Sequence, residues 1–338
     1  MPESLYQNRI ELRENARMFS QMPNTRFFFV TDLHGSDICF RKFLGAARFY
    51  EAQALVVGGD ITGKEIVAII EQSDGGFKAT IQGRERKVTG KEELEKLEHD
   101  IADSGSYPHR TTESEMAVLI TDKNKLDRLF SQLMAERIKR WTELAEKNLG
   151  NSDVKCYICP GNDDKFEIDT ALNASSYVVN PDQKVVQLDA KHEMISLGFS
   201  NITPWKCPRD ISEDELSNKI ETLVSHVKSP ENCIFNFHCP PLDSGLDTAP
   251  HLDDDLRPVF KAGEVEMIPV GSKSVRDAIQ RYQPLLGLHG HIHESKGFFK
   301  IGRTICLNPG SEYSEGMLRG ALVNLHDRGL KNYMFTTG

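Results

Sequence analysis

The chain has 338 residues, 39% hydrophobic and 27% charged, the composition of a globular protein with a full core. Fifty acidic residues against 41 basic ones give a net charge of -9, which argues against a broad basic surface for nucleic acid and leaves only a local basic groove. The apolar runs are strand-sized, far short of the roughly 20 residues that span a bilayer, and the polar opening Met1 to Ile10 lacks a secretory signal, so a cytoplasmic location without membrane contact is expected.

Arg26 to Thr31 reads as an apolar strand that ends in Asp32-Leu33-His34-Gly35 and leads into a helix from Ser36 to about Tyr50. A second strand, Ala54 to Val57, stops at Gly58-Gly59-Asp60, which completes a βαβ unit with both polar motifs at strand carboxyl ends. The pattern then changes. Ile66 to Ile70, the turn Asp74-Gly75-Gly76 and Phe77 to Ile81 predict a β-hairpin with a third strand through Arg84 to Val88. From Lys91 the apolar spacing is helical, with a loop over Asp103 to Thr112 separating the helices. Residues 63–150 are therefore expected to be an inserted α+β cap, and residues 1–62 and 151–338 the catalytic core.

The core resumes with Val154 to Cys159, ending at Pro160-Gly161-Asn162-Asp163. Lys184 to Leu188 and Met194 to Phe199 read as strands, and Ser212 to Val227 as a helix with Ser212 and Glu215 forming a capping box. Cys233 to Phe237 is a buried strand that delivers His238. After a long loop come a helix near Ser274 to Tyr282 and a strand, Leu285 to Leu288, leading to His289-Gly290-His291-Ile292-His293. The tail runs at Phe298, Thr304, Ala321 and Leu330 suggest antiparallel strands.

Seven cysteines, an odd number spread along the chain, do not form a disulfide framework. Cys156 and Cys159 have C-x-x-C spacing, but a strand sends residues three apart to opposite faces, so two packed thiols explain them better than a zinc or redox pair.

Five strand ends thus present Asp32 with His34, Asp60, Asn162, His238, and His291 with His293. Each motif alone has an ordinary explanation, a helix cap or a satisfied loop histidine. Together they set carboxylate, imidazole and amide oxygens, all ligands for first-row divalent metals, at one end of the core.

In order and spacing this set resembles the calcineurin-like metallophosphoesterase superfamily, with its D-x-H, G-D, G-N-x, H and G-H-x-H motifs, over Arg26 to about Ser311 outside the insertion. His289 to Glu294 and Asn308 to Ser311 look like its small bacterial and archaeal branch. The resemblance implies an α/β fold of four layers, an α/β/β/α sandwich. It also implies one ion on Asp32, His34, Asp60 and His293, and a second on Asp60, Asn162, His238 and His291. Asp60 would bridge them, and a metal-bridging hydroxide would attack the phosphate ester. Mn²⁺ or Fe²⁺ is expected first, with Zn²⁺ and Ni²⁺ compatible with the same donors.

One position departs from the family pattern. Many members carry histidine after the Asn ligand, whereas this chain has Asp163 and then Asp164. An ionised carboxylate there repels a phosphate dianion, which favours phosphodiesters, unless Asp163 turns away to cap the backbone.

His34, Asp60 and Asp163 are the catalytic candidates. Asn162, His251 in the long loop and Ser311 are candidates for substrate contact. His289 shares strand parity with His291 but is expected to be a buried histidine bonded to a neighbour. Asn308 to Ser311, and Gly271 to Ser274 with Arg276, read either as anion-binding backbone or as an ordinary turn and a capped helix start. The expected partner is a small phosphate ester. The insertion's apolar stripes serve equally for a homo-oligomer interface. Two other readings remain, a non-catalytic scaffold on the same fold and a nuclease subunit, the latter opposed by the acidic balance.

Overall fold

In the computed structural model, which describes residues 25–327 and 329–338, strand β1 (Thr25–Val30) is apolar on both faces. Phe27 and Phe29 point to one side, Phe28 and Val30 to the other, and all four are buried, as in a parallel strand covered on each side. Helix α1 (Asp37–Phe49), capped by the Ser36 hydroxyl, returns the chain to β2 (Ala54–Val57), parallel to β1.

The next segment contains β3 (Ile66–Glu71), β4 (Phe77–Ile81), β5 (Arg84–Val88), α2 (Lys91–Asp103) and β6 (Tyr107–Thr111). They form a four-stranded sheet ordered β5-β4-β3-β6 with its own small core of Val67, Ile69, Ala79, Leu94, Leu97 and Ile101. The stretch from Asp103 to Thr112, expected to be a loop, instead holds β6, parallel to β3 from Ile66 opposite Tyr107 to Ile70 opposite Thr111. Pro108 and the polar residues around it hide the strand in the sequence, and the edge position of β6 tolerates the proline.

Helices α3 (Glu113–Thr121) and α4 (Lys123–Leu149) follow, and α4 departs from the expected domain division. Its Met134, Ile138, Trp141, Ala145 and Leu149 pack in the same cluster as β1, β2 and α1, with Trp141 stacked on Phe40 at 4.2 Å. The second half of the stretch 63–150 is thus part of the core's helical covering.

The chain continues through β7 (Lys155–Ile158), α5 (Ile168–Asn173), β8 (Val185–Gln187), β9 (Glu193–Leu197), the short β10 (Ser200–Asn201) and β11 (Asp210–Ile211), and α6 (Glu213–Val224) with the expected Ser212–Glu215 capping box. Next come β12 (Cys233–Phe237) and an arm of short strands, β13 (Thr248–Pro250), β14 (Phe260–Lys261), β15 (Glu264–Val265) and β16 (Met267–Pro269). Helix α7 (Lys273–Tyr282), β17 (Leu286–Leu288), β18 (Gly297–Ile301), β19 (Thr304–Asn308), β20 (Arg319–His326) and β21 (Gly329–Thr337) complete the described chain.

Two sheets organise this mixed α/β fold, ordered β21-β20-β1-β2-β7 and β18-β19-β17-β12-β9-β8. Phe27, Phe29 and Val56 of the first meet Met194, Ile234 and Leu288 of the second in one buried cluster. The opposite face of the first sheet is covered by α1, α4 and α5, and that of the second by α6 and α7. Within each sheet the parallel strands, β1-β2-β7 in one and β9-β12-β17 in the other, deliver their following loops at carboxyl ends, where open α/β sheets bind ligands. Among the described residues no helix is long and apolar enough to cross a membrane.

Candidate metal centre

The loops that follow the strands stay laced to one another, and this brings distant residues together. The Asp32 amide donates to Gly59 O, His34 N to Asp60 O, His238 N to Leu197 O and Gly290 N to His238 O. Asp32, His34, Asp60 and His291 all have left-handed backbone with φ between 40° and 68°. Such strain in non-glycine residues persists where the surroundings over-determine it, and it gathers at functional sites.

Two groups of potential ligands result, Asp32 with His34 and His293, and Asp60 with His238 and His291, each with its ligand atoms within 4.8 Å of one another. Asp60 faces both. Its Oδ2 lies 3.7 Å from His34 Nε2 and its Oδ1 lies 3.3 Å from His238 Nε2. His34 Nε2 and His293 Nε2 stand 3.0 Å apart, and His293 Nε2 is 3.4 Å from Asp32 Oδ1. Nitrogens this close, facing carboxylates, suit a shared cation.

Outer partners aim these rings. The Nδ1 of His238 is directed at Gly58 O (3.2 Å) and that of His34 at Thr62 O (3.4 Å), leaving each Nε2 for the centre. Glycine is required beside them. A Cβ on Gly59 would fall 2.1 Å from His238 Nδ1, and one on Gly161 would fall 2.2 Å from Asp60 Oδ1. The Asn162 amide nitrogen donates to Asp210 Oδ1 at 2.9 Å, which leaves its buried carbonyl oxygen free.

Buried Asn162 Oδ1 has no hydrogen-bond partner, and His238 Nε2 faces the Asp60 and Asp32 carboxylates at 3.3 and 3.9 Å. Orphaned buried polar atoms are costly and call for an explanation. Divalent cations would supply it, and the donor set fits the expected metals.

Charge follows the same geometry. Burial opposes ionisation of Asp60, but His238 overrides it and holds the carboxyl well below the usual range. Burial likewise disfavours a charged His238, yet Asp60 raises it to about 9. His34 and His291 are lowered, chiefly by burial, to about 3 and about 4.

A pH dependence of the chelator-treated protein follows. The raised His238 contributes stability that is complete below its unfolded value of 6.5 and is lost as pH rises through about 9. The depressed His34 and His291 contribute stability that is present above 6.5 and is lost as pH falls towards about 4 and then about 3. Thermal melts should therefore peak near the 6.5 between these limbs. Metal must displace the His238 proton, so titration calorimetry at pH 7 should detect proton release, with affinity growing as pH rises. A flat melting profile together with proton-neutral binding would refute this.

The structure brings six of the seven residues read as ligands into these two groups, and Asn162 adjoins them through the neighbouring Asp163 amide, which donates to Asp60 Oδ1. Asp163 also joins the rim, its carboxylate within 4.8 Å of His34 and Asp60 ligand atoms and 3.0 Å from Lys64 Nζ. The backbone-capping task considered for Asp163 belongs to its neighbour Asp164, which accepts from Ile61 N, Thr62 N, Thr62 Oγ1 and Gly161 N and so ties the Asp60 loop to the Asn162 loop.

The other candidate residues have partners of their own. The ring of His251 pairs with Glu266 on the arm, 2.8 Å away, and has no hydrogen bond or ion pair to the centre among the described residues. The Ser311 hydroxyl donates to Asp32 O, bracing the loop that carries Asp32 and His34. His289 is fully buried against Phe237 O and Cys239 O, as expected. The Asn308 turn holds the Gly290 and Ile292 carbonyls. At the start of α7 the anion is internal, since the Glu213 carboxylate accepts from Lys273 N, Ser274 N and Ser272 Oγ.

Sequence reasoning passes over Asp210, Asp164 and Lys64. Asp164 carries a faint signal, an acid directly after the G-N-x motif. Asp210 and Lys64 belong to no pattern.

No family model matches the chain. It is 35% identical over 170 residues, 49% of its own length and 69% of the relative's, to the uncharacterized protein MJ1162 of Methanocaldococcus jannaschii. Among solved structures, TT1561 of Thermus thermophilus matches with a TM-score of 0.52 at 13% identity, over 94% of this chain and 99% of that one. Another crystal structure matches with a TM-score of 0.54 at 16% identity, over 93% and 99% of the two chains.

Proposed function

We propose that the chain is a calcineurin-like metallophosphoesterase, a binuclear metal-dependent hydrolase of phosphate esters, acting on diesters in preference to monoesters. We read the two sheets and their helical coverings as the superfamily's α/β/β/α sandwich, with the β3–β6 sheet and α2 as the inserted cap. The observation that carries the functional reading is Asp60, whose two oxygens are divided between the His34 side and the His238 side of the cluster.

Asp32, His34, His293 and Asp60 would hold one divalent ion, and Asp60, Asn162, His238 and His291 the other. Once bound, the pair supplies Lewis acidity, lowering the pKa of a water and drawing in phosphate oxygens. The protein's own part is orientation. Asp210 fixes the Asn162 amide, the Thr62 and Gly58 carbonyls fix two imidazoles, and the Tyr313 ring packs on His34 at 4.7 Å.

The diester preference rests on charge. A histidinium after Asn162 would add one positive charge beside the phosphate, whereas the Asp163–Lys64 couple has no net charge. A monoester dianion therefore loses more attraction than a diester monoanion.

Purified protein supplied with Mn²⁺, Fe²⁺, Zn²⁺ or Ni²⁺ should bind close to two ions per chain. It should also hydrolyse bis(p-nitrophenyl) phosphate faster than p-nitrophenyl phosphate. Well-folded protein with neither metal nor esterase activity would leave the scaffold reading in its place.

A further inference from the structure

We propose that Lys64 is a substrate-binding residue of this centre, contacting the phosphoryl oxygens at the open side of the metal cluster, with Asp163 as the positioning residue that holds its ammonium there. The proposal rests on the phosphoesterase reading and deepens it. It gives a physical substitute for the histidine missing after Asn162.

Asp163 leaves that place with a carboxylate facing the cluster. Its amide donates to Asp60 Oδ1 at 3.0 Å, which fixes it beside the bridging residue, and its Oδ1 lies 3.7 Å from Cys207 Sγ. The other oxygen, Oδ2, takes Lys64 Nζ at 3.0 Å. Among the described residues Lys64 is the sole lysine or arginine in an ion pair with Asp32, Asp60 or Asp163.

Lys64 arrives at the junction where the chain leaves the Asp60 loop for β3, and that junction is anchored. Gly63 N donates to the buried Tyr107 hydroxyl at 2.8 Å, and a Cβ on Gly63 would fall 2.0 Å from Gly105 O. Beyond the anchor the Lys64 side chain is half exposed, against 30% for Asp163. One of its three N–H donors is spent on Asp163, and on a half-exposed side chain the other two are available to a phosphate oxygen. Burial weakens the ammonium, but Asp60 and Asp163 hold it above the usual lysine range, so it stays charged throughout the working pH. A fixed cation at a transferring phosphoryl group acts by preorganised electrostatics.

The test uses the full chain carrying K64M, K64R, D163N or K64M/D163N, with three readouts: metal content by elemental analysis, affinity for inorganic phosphate by calorimetry on Mn²⁺-loaded protein, and kcat/KM on aryl diesters of increasing leaving-group pKa. K64M should keep wild-type metal content, bind phosphate about tenfold more weakly and lose about 10²-fold in kcat/KM. K64R should retain most of both. The double variant should regain about tenfold over K64M, because the unpaired carboxylate is gone. Wild-type hydrolysis with unchanged phosphate affinity and rate in K64M overturns the role of Lys64 alone. So does metal loss in K64M that K64R restores without restoring phosphate affinity. A wild-type chain that loads metal but cleaves no ester overturns the underlying reading as well.

Discussion

Replacing Asp60 by Asn should remove both metal ions and lower turnover of bis(p-nitrophenyl) phosphate by about 10⁴-fold, given that metal activation supplies several kcal/mol and each ~1.4 kcal/mol is tenfold in rate. The change is nearly isosteric. The carbonyl oxygen of the new side-chain amide can still accept from the Asp163 backbone N–H, the bond now made at 3.0 Å, so the loop has reason to keep its shape. What disappears is the charge shared by the two histidine groups. One amide oxygen cannot serve both, and its NH₂ would point at the other.

The same variant has a second signature. Without the Asp60 carboxylate, His238 loses the main influence that offsets its burial and holds it near 9. The alkaline loss of stability in chelator-treated protein should then shrink, and the melting curves at pH 6.5 and 9 should converge. Elemental analysis, steady-state kinetics and melts on one preparation decide the matter. D60N protein that retains two ions and near-native turnover would remove Asp60 from the centre of the site.

The candidate ligands stand out in the sequence because each follows a strand whose alternation is simple. In β1, Phe27 and Phe29 enter the space between the sheets while Phe28 and Val30 enter the helical side, so a continuous apolar run announces a strand covered on both faces and its polar end stands out. The groups that aim the ligands were not legible. Asp210 orients Asn162 from 48 residues away, through a pairing that only the fold creates. Lys64 follows no motif, and its significance depends on Asp163 turning towards it. The pairing of His251 with Glu266 was hidden for the same reason, since a histidine in a long loop has no sequence mark showing which neighbour it faces. The division at residue 150 was obscured because an apolar helical stripe does not state which surface covers it, and α4 spends its stripe on the core.

That packing brings Arg137 of α4 against the loop that carries Asp32 and His34. Its side chain is 1% exposed. It donates to Gly35 O and to Ser106 O (3.1 Å), lies 3.3 Å from Asp37 Oδ1, and stacks its guanidinium 4.9 Å from the Tyr107 ring centre. Gly35 directly follows His34, so one buried cation joins the first ligand loop, the start of α1 and the insertion's β6. Replacing Arg137 by Met keeps the apolar stem and deletes the head. The Gly35 and Ser106 carbonyls then lose their donor, and Asp37 keeps only Arg140 at 3.8 Å and the Trp141 indole N–H at 2.6 Å. Breaking a buried ion pair by removing one partner costs about 3–5 kcal/mol, and R137M should lose stability on that scale in urea unfolding, with an unchanged m-value. Because the lost anchor sits next to His34, the folded fraction should also bind metal more weakly, with the His34–His293 side affected before the His238–His291 side. Lysine at this position would keep the charge but not the fork that reaches Gly35 and Ser106 together, so R137K should recover only part of the stability. Native stability in R137M would mean that the insertion merely lies against the metal loop without supporting it.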